Sequence, residues 1–254
     1  ESDVLAEQPT QIAERFAMVP DCPICVPLGE HLSCGVVGKR ARCVALGKNL
    51  IVQAAANHSY CDLRIVVLCE QEETAQWEFC RWLPHCWDEG HTARLIANTP
   101  ETIRALLERL EPVFSARAAA GQNAGLGAAP RAKPWYLFVC AAPETVTQHA
   151  FMKFLTANRR ELGISVLYLF DRIDLLPEEC HDILDCREAV GVLFERRHAS
   201  RKQPFQPEQV PQARYEQFAR SMAPLRMEAK GAPALPRSVS FLQGYHVSRP
   251  SELA

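Results

Sequence analysis

Two glycines and a lysine lie where an apolar strand meets a helix near the start of the chain. Gly35 and Gly38 enclose two valines, Lys39 follows, and a helix-length segment begins at Arg40. A glycine turn in this position is where α/β proteins often hold a phosphate, because the helix N-terminus offers free N–H groups and the positive end of its dipole. The layout therefore raises the question of a bound nucleotide.

The chemistry of this turn argues against one. A Walker A loop has four residues between its glycines and then Lys-Ser or Lys-Thr, so that backbone amides surround the phosphates and the hydroxyl holds magnesium. Here two residues separate Gly35 from Gly38, and Lys39 is followed by Arg40. A short loop could still bind an anion, but it lacks the usual magnesium ligand. We predict a tight structural turn with a degenerate phosphate-loop position.

The strand-end carboxylates of a nucleotide-hydrolysing motor are also missing. In such a motor one carboxylate holds magnesium through water and another polarises the attacking water. The most continuous apolar strand in the second half, residues 135–140, is followed by Ala141 and Ala142 instead. Glu144 lies nearby, but a first-turn position favoured by the helix dipole explains it better. The domain is therefore expected to bind no cofactor and to have no catalytic residue.

Two further groups of residues could do chemistry, and we expect neither to do so. Cys22 and Cys25 have the spacing of half a zinc site, but no second pair at similar spacing completes it. Asp171 and Asp174 follow another apolar strand, where carboxylates are more often turn residues than acid/base partners. The sequence therefore predicts no metal site.

Composition indicates an ordinary soluble globular domain. Of 254 residues, 48% are hydrophobic and 23% are charged, and the net charge of -2 offers no general attraction to nucleic acid or anionic lipid. No apolar run approaches the ~20 residues that a spanning helix requires. Eleven cysteines, odd in number and scattered, do not resemble a disulfide framework. We expect a reducing compartment and thiols that are mostly buried in the core.

Strand-like and helix-like segments alternate across residues 35–170, which predicts an α/β fold with a mostly parallel sheet and helices on both faces. A helix from Pro100, with Thr99 as its N-cap, places apolar residues at i, i+3, i+4 and i+7. Residues 118–134 shift to Ala, Gly and Pro, which predicts a flexible loop. The other expected elements are strands at 35–38, 63–69, 93–97, 164–170, 182–186, 190–194 and 239–241, and helices at 40–57, 72–83 and 212–223, with one more helix that contains Phe151, Phe154 and Leu155.

Two surface features are candidates for contact with partners. Trp77, Trp82 and Trp87 fall within eleven residues, and tryptophan is enriched at interaction hot spots, although packing onto the sheet edge would explain the cluster as well. A basic loop near residue 200 could touch phosphate or an acidic partner, or could simply be solvated. Its cations are Arg196, Arg197, Arg201 and Lys202.

Several stretches resemble a known family, the FtsK/SpoIIIE-type ATPases of type VII secretion called EssC or EccC. The most specific are His58 to Leu68 and Trp77 to His85. The others are Val26 to Gly29, Gly35 to Gly38 with its helix, Glu161 to Leu167, Phe205 to Glu208 and Ala223 to Arg226. Together they cover about residues 20–245, and they match the membrane-proximal, RecA-like (P-loop NTPase-like) domain that follows the membrane helices in that family.

The resemblance implies a division of the chain and a place for it. Residues 1–21 would be an approach segment after the membrane region of the parent, residues 22–229 the ATPase-like domain, and residues 230–254 a terminal strand and linker toward the next ATPase domain. The family drives export of small helical proteins from the cytoplasmic face of the cell membrane. Its members are oligomeric motors, whose downstream domains use Mg-ATP. Some relatives keep an acidic residue where this chain has Ala141.

Three functions remain open at this point. The favoured one is a pseudo-ATPase module, not itself an enzyme, which couples membrane helices to downstream motor domains and contacts other domains, subunits and membrane components of the secretion motor. The second is an ATP-binding or hydrolysing domain with unusual motifs. The third is a DNA-binding or translocase module, which the lack of net positive charge disfavours.

Overall fold

The computed structural model describes residues 22–123 and 132–226, together with Pro9, Ile12 and Ala13. The chain divides into two units, Glu1–Pro224 and Leu225–Ala254, and only residues 225 and 226 of the second are described. The expected strand at 239–241, the linker at 230–254 and nearly all of the approach segment at 1–21 lie outside the described residues.

The described residues form one eight-stranded sheet with the order β3-β2-β4-β5-β1-β6-β7-β8. All neighbours from β3 through to β6 pair in parallel, and β7 and β8 add antiparallel pairs at one edge. This confirms the expected mostly parallel sheet. The strands are β1 Ser33–Gly38, β2 Leu63–Leu68, β3 Ile96–Ala97, β4 Trp135–Cys140, β5 Ile164–Leu169, β6 Asp182–Cys186, β7 Gly191–Glu195 and β8 Gln203–Phe205.

Helices cover both faces of the sheet, as expected for strands whose apolar runs are buried along their whole length. Ile51, Trp77 and Tyr215 pack on one face, and Leu107 and Phe114 pack on the other. The described helices are α1 Leu28–His31, α2 Arg40–Asn57, α3 Thr74–Trp77, α4 Pro100–Asn123, α5 Pro143–Thr147, α6 Met152–Leu155 and α7 Gln212–Met222.

Helix α4 begins as predicted and ends later than predicted. The side chains of Thr99 and Thr102 each accept a hydrogen bond from the other residue's backbone N–H, which caps the first turn. The loop expected from Ala118 is wrong up to Asn123, because the helix continues through that stretch. Alanine has the highest helix propensity of all residues, so the run of alanines there extends the helix. Residues 124–131 of that expected loop are outside the described part.

The helix expected over 72–83 is wrong as a single element. It consists of short 3₁₀ turns on either side of α3. Trp77, Cys80 and Leu83 are all buried at a spacing of three residues, which is the period at which 3₁₀ side chains align. An α-helix has 3.6 residues per turn and would rotate these side chains away from one line. Burial against the sheet therefore overrides the helical pattern.

Two smaller expectations are also corrected. The strand predicted at 93–97 is reduced to Ile96–Ala97, with one isolated bridge between Trp87 and Arg94. The helix predicted around Phe151 is two short helices, α5 and α6, separated by a turn.

Candidate functional site

The turn after β1 is too short to surround a phosphate chain. β1 lies between β5 and β6 and ends at Gly38, and α2 begins at Arg40, so Lys39 is the only residue between them. Gly38 has a φ of 137°, and a Cβ there would lie 2.7 Å from the backbone carbon of Cys186. Its N–H donates to the carbonyl of Asp171 at 3.2 Å. The glycine therefore allows a close backbone crossing, whereas Gly35 lies within the strand and Lys39 is exposed.

Arg40 occupies the edge of the sheet that faces this turn. Its Nη1 donates to the carbonyl of Leu169, the last residue of β5, at 2.7 Å. Its Nη2 donates to the carbonyl of Ala141, which directly follows β4, and to Oε2 of Glu73 at 2.5 Å. Its Nε also bonds Glu73, so four of the five guanidinium N–H groups have partners. The side chain thus joins the carboxyl ends of β4 and β5 to the turn after β2.

The Arg40 side chain is 26% exposed and that of Glu73 is 16% exposed, so the pair is largely shielded from solvent. Burial opposes the charge on Arg40, but the bonds to Glu73 and the nearby carboxylates of Glu70 and Asp171 together raise its pKa above the usual value. Burial, together with the negative charges of Glu73, Glu72 and Asp171, raises the pKa of Glu70 despite the attraction of Arg40. At this edge a single guanidinium thus pairs with Glu73 and faces further carboxylates.

The position that would carry motor carboxylates is apolar and closed. Ala141 and Ala142 are buried, and Glu144 lies exposed in the first turn of α5. Beside them is a cavity of about 250 Å³ whose lining includes the carboxylates of Glu70, Glu72 and Glu144. Pockets for small-molecule ligands measure roughly 300–1,000 Å³. A cavity of this size and charge does not suit a triphosphate.

The three candidate tryptophans do not share one surface. Trp77 is 1% exposed and belongs to the core on the α2 face of the sheet, so its place in a contact surface is corrected. Trp82 and Trp87 are half-buried. The guanidinium of Arg220 in α7 lies 4.1 Å from the ring of Trp82, and that of Arg94 lies 3.8 Å from the ring of Trp87.

The four candidate cations are also divided. Arg196 is half-buried, and its Nη1 donates to the carbonyl of Pro177 at 2.7 Å, so it holds a neighbouring loop. Arg197, Arg201 and Lys202 are exposed. These three keep the character of a cationic patch.

The cysteines are mostly buried, as predicted. All eleven are free thiols, and eight of them are buried, while Cys22, Cys25 and Cys61 are exposed. Burial raises the pKa of Cys43 to about 12 and that of Cys186 to about 11. A raised pKa keeps a thiol protonated and therefore unreactive.

The remaining predicted residues have structural partners. Asp174 pairs with Arg172 on the surface, and the carbonyl of Asp171 accepts the Gly38 N–H. His85 is fully buried and donates from Nε2 to the carbonyl of His58 at 2.8 Å. Asp171 and Asp174 form no acid/base pair with each other.

Sequence reasoning missed the role of Arg40. A signal was present, because an arginine in the first turn of a helix opposes the positive end of the helix dipole and requires a compensating anion. The identity of that anion was not readable, since Glu73 is 33 residues away and meets Arg40 only after β2 takes its place in the sheet. The described residues also bring together His31, His181 and Asp182 at the opposite edge, a cluster that no sequence pattern indicated.

Comparison with curated proteins identifies relatives along the whole chain. No protein-family model matches it. It is 26% identical over 254 residues to the ESX secretion system protein EccC of Geobacillus thermodenitrificans (strain NG80-2), and 24% identical over 253 residues to the type VII secretion system protein EssC of Staphylococcus aureus (strain NCTC 8325 / PS 47). The predicted resemblance to EssC and EccC is confirmed. The matches include 100% and 99% of this chain but 17% of the length of each relative.

Solved structures of EssC and EccC share the fold. "EssC (ATPases 2 and 3)" from Geobacillus thermodenitrificans superposes over 84% of this chain and 48% of its own with a TM-score of 0.56 at 10% identity. "The cytoplasmic domain of EssC" superposes over 84% of this chain and 49% of its own with a TM-score of 0.54 at 13% identity. The EccC cytoplasmic domain of Thermomonospora curvata gives 0.51 at 15% identity, over 80% of this chain and 29% of its own. The predicted P-loop NTPase-like fold class is confirmed.

Within the residues that the structure describes, no helix is long and apolar enough to cross a membrane.

Proposed function

We propose that this chain is a pseudo-ATPase domain of a type VII secretion motor, which couples the membrane helices of its parent to downstream domains that hydrolyse Mg-ATP. Its similarity to EccC and EssC over the whole chain supports the assignment to a type VII secretion motor. The match to 17% of each relative supports a role as one part of a longer protein. Residues 1–21 and 230–254 would then be its connections, at the cytoplasmic face of the membrane.

The observation that carries the proposal is the Arg40–Glu73 pair. The guanidinium holds a carboxylate and two carbonyls at the edge where a motor of this fold would keep phosphate and magnesium. A nucleotide would have to break these bonds and expose both charges, and removing one partner of a largely buried pair is strongly unfavourable. The pair therefore acts as a structural substitute for a bound nucleotide.

Three further features favour a domain without hydrolysis. No hydroxyl follows Lys39 to hold magnesium, and no carboxylate follows β4 to polarise water. The neighbouring cavity presents Glu70, Glu72 and Glu144, whose charges repel phosphate. Each feature removes a different component of phosphoryl-transfer chemistry.

Without nucleotide, the remaining use of the domain is contact with its neighbours, which we infer to be other domains and subunits of the same oligomeric motor and components of its membrane complex. Half-buried Trp82 and Trp87 supply aromatic area, and exposed Arg197, Arg201 and Lys202 supply charge. Aromatic anchors contribute most of the free energy of such interfaces, whereas rim cations set approach and register. The overall charge of -2 disfavours nucleic acid as the partner.

The test is a calorimetric titration of Mg-ATP into the purified 254-residue chain, with a phosphate-release assay on the same sample. We expect no binding in the micromolar range and no hydrolysis above buffer. Micromolar affinity that Lys39→Ala abolishes would show a working phosphate loop and would refute the proposal in favour of an unusual ATPase. A second titration with duplex DNA at low salt should also show no binding, since a translocase module would bind it.

Arg40→Ala separates two versions of the proposal. If Arg40 only occludes an otherwise competent site, this variant gains Mg-ATP binding. We expect it to gain none, because the hydroxyl after Lys39 and the carboxylates after β4 that would hold magnesium in a motor are absent as well. Circular dichroism of the variant, compared with that of Arg81→Ala, controls for unfolding, since Arg81 pairs with Glu78 on the surface.

A further inference from the structure

Three ionisable side chains meet at the edge of the sheet opposite to Arg40. His31 is the last residue of α1 and lies just before β1, whereas His181 and Asp182 stand at the start of β6. β1 and β6 are parallel neighbours, and Cys34 is the register partner of Asp182. Parallel pairing therefore brings residues 151 positions apart into hydrogen-bond contact.

The Asp182 carboxylate is shared between the two imidazoles. Nδ1 of His31 lies 2.8 Å from Oδ2, and Nδ1 of His181 lies 3.0 Å from Oδ1. The two rings stack with centroids 4.0 Å apart and planes at 29°. One ligand atom from each residue lies within 4.8 Å of the others. Both nitrogens thus converge on the same buried carboxylate.

Solvent can reach this cluster from one side. The side chain of Asp182 is 4% exposed, but those of His31 and His181 are 28% and 38% exposed. Glu195 is the register partner of Asp182 on β7, and it bonds Nδ1 of His198 at 3.0 Å. Because register partners on neighbouring antiparallel strands project from the same face of the sheet, the Glu195 side chain lies on the same face as Asp182.

Two imidazoles and a carboxylate form a donor set typical of zinc and other first-row divalent cations. Ligand atoms about 2.0–2.2 Å from a tetrahedral zinc ion lie roughly 3.4 Å apart. The present spacing needs only small side-chain rotations, in which the stacked rings separate so that each Nδ1 lone pair points at a common centre. Either water or Glu195 is available for a fourth position.

We propose that His31, His181 and Asp182 form a binding site for a divalent transition-metal cation of the zinc type. The ion replaces the hydrogen on each Nδ1 that now forms a hydrogen bond to the carboxylate of Asp182. A neutral imidazole then carries its proton at Nε2, and a protonated one releases a proton to solvent, as metal binding requires. The bound ion would fasten the segment before β1 to the start of β6.

The test uses zinc chloride and the 254-residue chain with Cys22, Cys25 and Cys61 changed to serine, because these exposed thiols could bind zinc themselves. Calorimetry should show one zinc ion per chain. His31→Ala and His181→Ala should each weaken zinc binding at least about tenfold. His58→Ala should leave the affinity unchanged, because the ring of His58 is exposed elsewhere on the molecule and bonds its own helix at 3.0 Å.

Cobalt(II) chloride gives a readout that does not depend on any histidine variant folding. Binding to the triple-serine chain should produce the visible d–d bands of a nitrogen and oxygen site, without the thiolate charge-transfer band of a cysteine site. Absence of zinc uptake by this chain overturns the proposal. So does zinc affinity that survives both histidine changes, or a cobalt spectrum with thiolate bands.

Discussion

The two ends of the parallel strands differ in how their charged side chains are paired. The end near Arg40, where the strands finish, is called the carboxyl edge, and the end near Asp182, where they begin, is called the amino edge. At the carboxyl edge, Arg40 uses four donors on Glu73 and two backbone carbonyls, and the turn at Gly38 leaves no room for another group. At the amino edge, the single carboxylate of Asp182 is shared by two half-exposed imidazoles that have other protonation states available.

This difference shows that a chain need not keep its ligand-binding side chains at the position that is usual for its fold class. In α/β folds, ligands bind beyond the carboxyl ends of the strands. In this chain that edge holds a permanently charged arginine in a closed network, while the titratable histidines lie at the other end. A closed network stabilises one arrangement, whereas a shared carboxylate can accept an ion or a proton.

The largest expected effect on this comparison comes from Arg40→Ala. The change leaves Glu73 largely buried without its partner and frees two carbonyls at the strand ends. Breaking a fully buried pair costs ~3–5 kcal/mol, and the partial exposure of this pair reduces the expected loss in free energy of unfolding to about 2–3 kcal/mol. Urea unfolding followed by circular dichroism measures it.

The control for Arg40→Ala is Arg81→Ala, which removes an arginine from an exposed pair with Glu78. Exposed pairs are worth ~0.2–1 kcal/mol, so this control should lower the free energy of unfolding by no more than about 1 kcal/mol. Equal losses in the two variants would mean that the carboxyl edge is held no more tightly than the surface.

A smaller effect is expected at the amino edge from Asp182→Asn, measured in buffer that contains a metal chelator. The amide keeps one oxygen acceptor of nearly the same shape but presents an NH₂ group to one imidazole. That ring must then accept through Nδ1, and neither bond keeps a carboxylate partner. The expected loss is about 1–2 kcal/mol, because hydrogen bonds to charged groups contribute ~1.5–3 kcal/mol and the imidazoles remain accessible to water.

Asp174→Asn is the matched control for Asp182→Asn, since Asp174 pairs with Arg172 where both side chains are exposed. Solvent screens this exposed pair, so its removal should leave the free energy of unfolding unchanged within the error of the measurement. If Asp182→Asn proved at least as stable as the parent chain, the shared carboxylate would hold no structural role, and the contrast between the edges would rest on Arg40 alone.

Much of the fold was predictable because its information is local. The apolar runs of β2, β4 and β5 are long enough to be buried on both faces, and their alternation with helices indicates a parallel sheet. The absence of motor residues was also readable, since a Walker A loop and a strand-end carboxylate pair are short patterns. Helix boundaries were less predictable, as α4 and the 3₁₀ turns around α3 show.

The groups that occupy the two edges were not predictable, because each consists of contacts distant in sequence. Arg40 and Glu73 meet across 33 residues, and His31 and Asp182 meet across 151. The tryptophans show the converse, that residues close in sequence can have different surroundings in the fold. Trp77 and Trp82 are close in sequence, but the first is buried in the core and the second packs beside Arg220 of α7. Strand order, which is a global property, decides such contacts.

The smallest expected effect comes from Glu70→Gln, which measures how much the Glu70 carboxylate changes the free energy of unfolding at the carboxyl edge. Burial and the charges of Glu73, Glu72 and Asp171 raise the pKa of Glu70, so the folded state binds its proton more tightly than the unfolded state does. Stability therefore falls as pH rises through the window between the unfolded pKa of about 4.3 and the higher folded pKa. Above that window the ionised carboxylate disfavours folding, and glutamine removes the penalty.

Glu70 is exposed, so solvent screens the effect and the expected gain in free energy of unfolding at pH 7 is about 0.3 kcal/mol. The gain should disappear below about pH 4, where Glu70 is protonated in both states. Paired urea curves at the two pH values measure it, with Glu178→Gln as an exposed control distant from this edge. A loss of stability at pH 7 would mean that attraction to Arg40 outweighs the carboxylate repulsion. The arginine would then hold two glutamates, and the closed network at this edge would include Glu70 as well as Glu73.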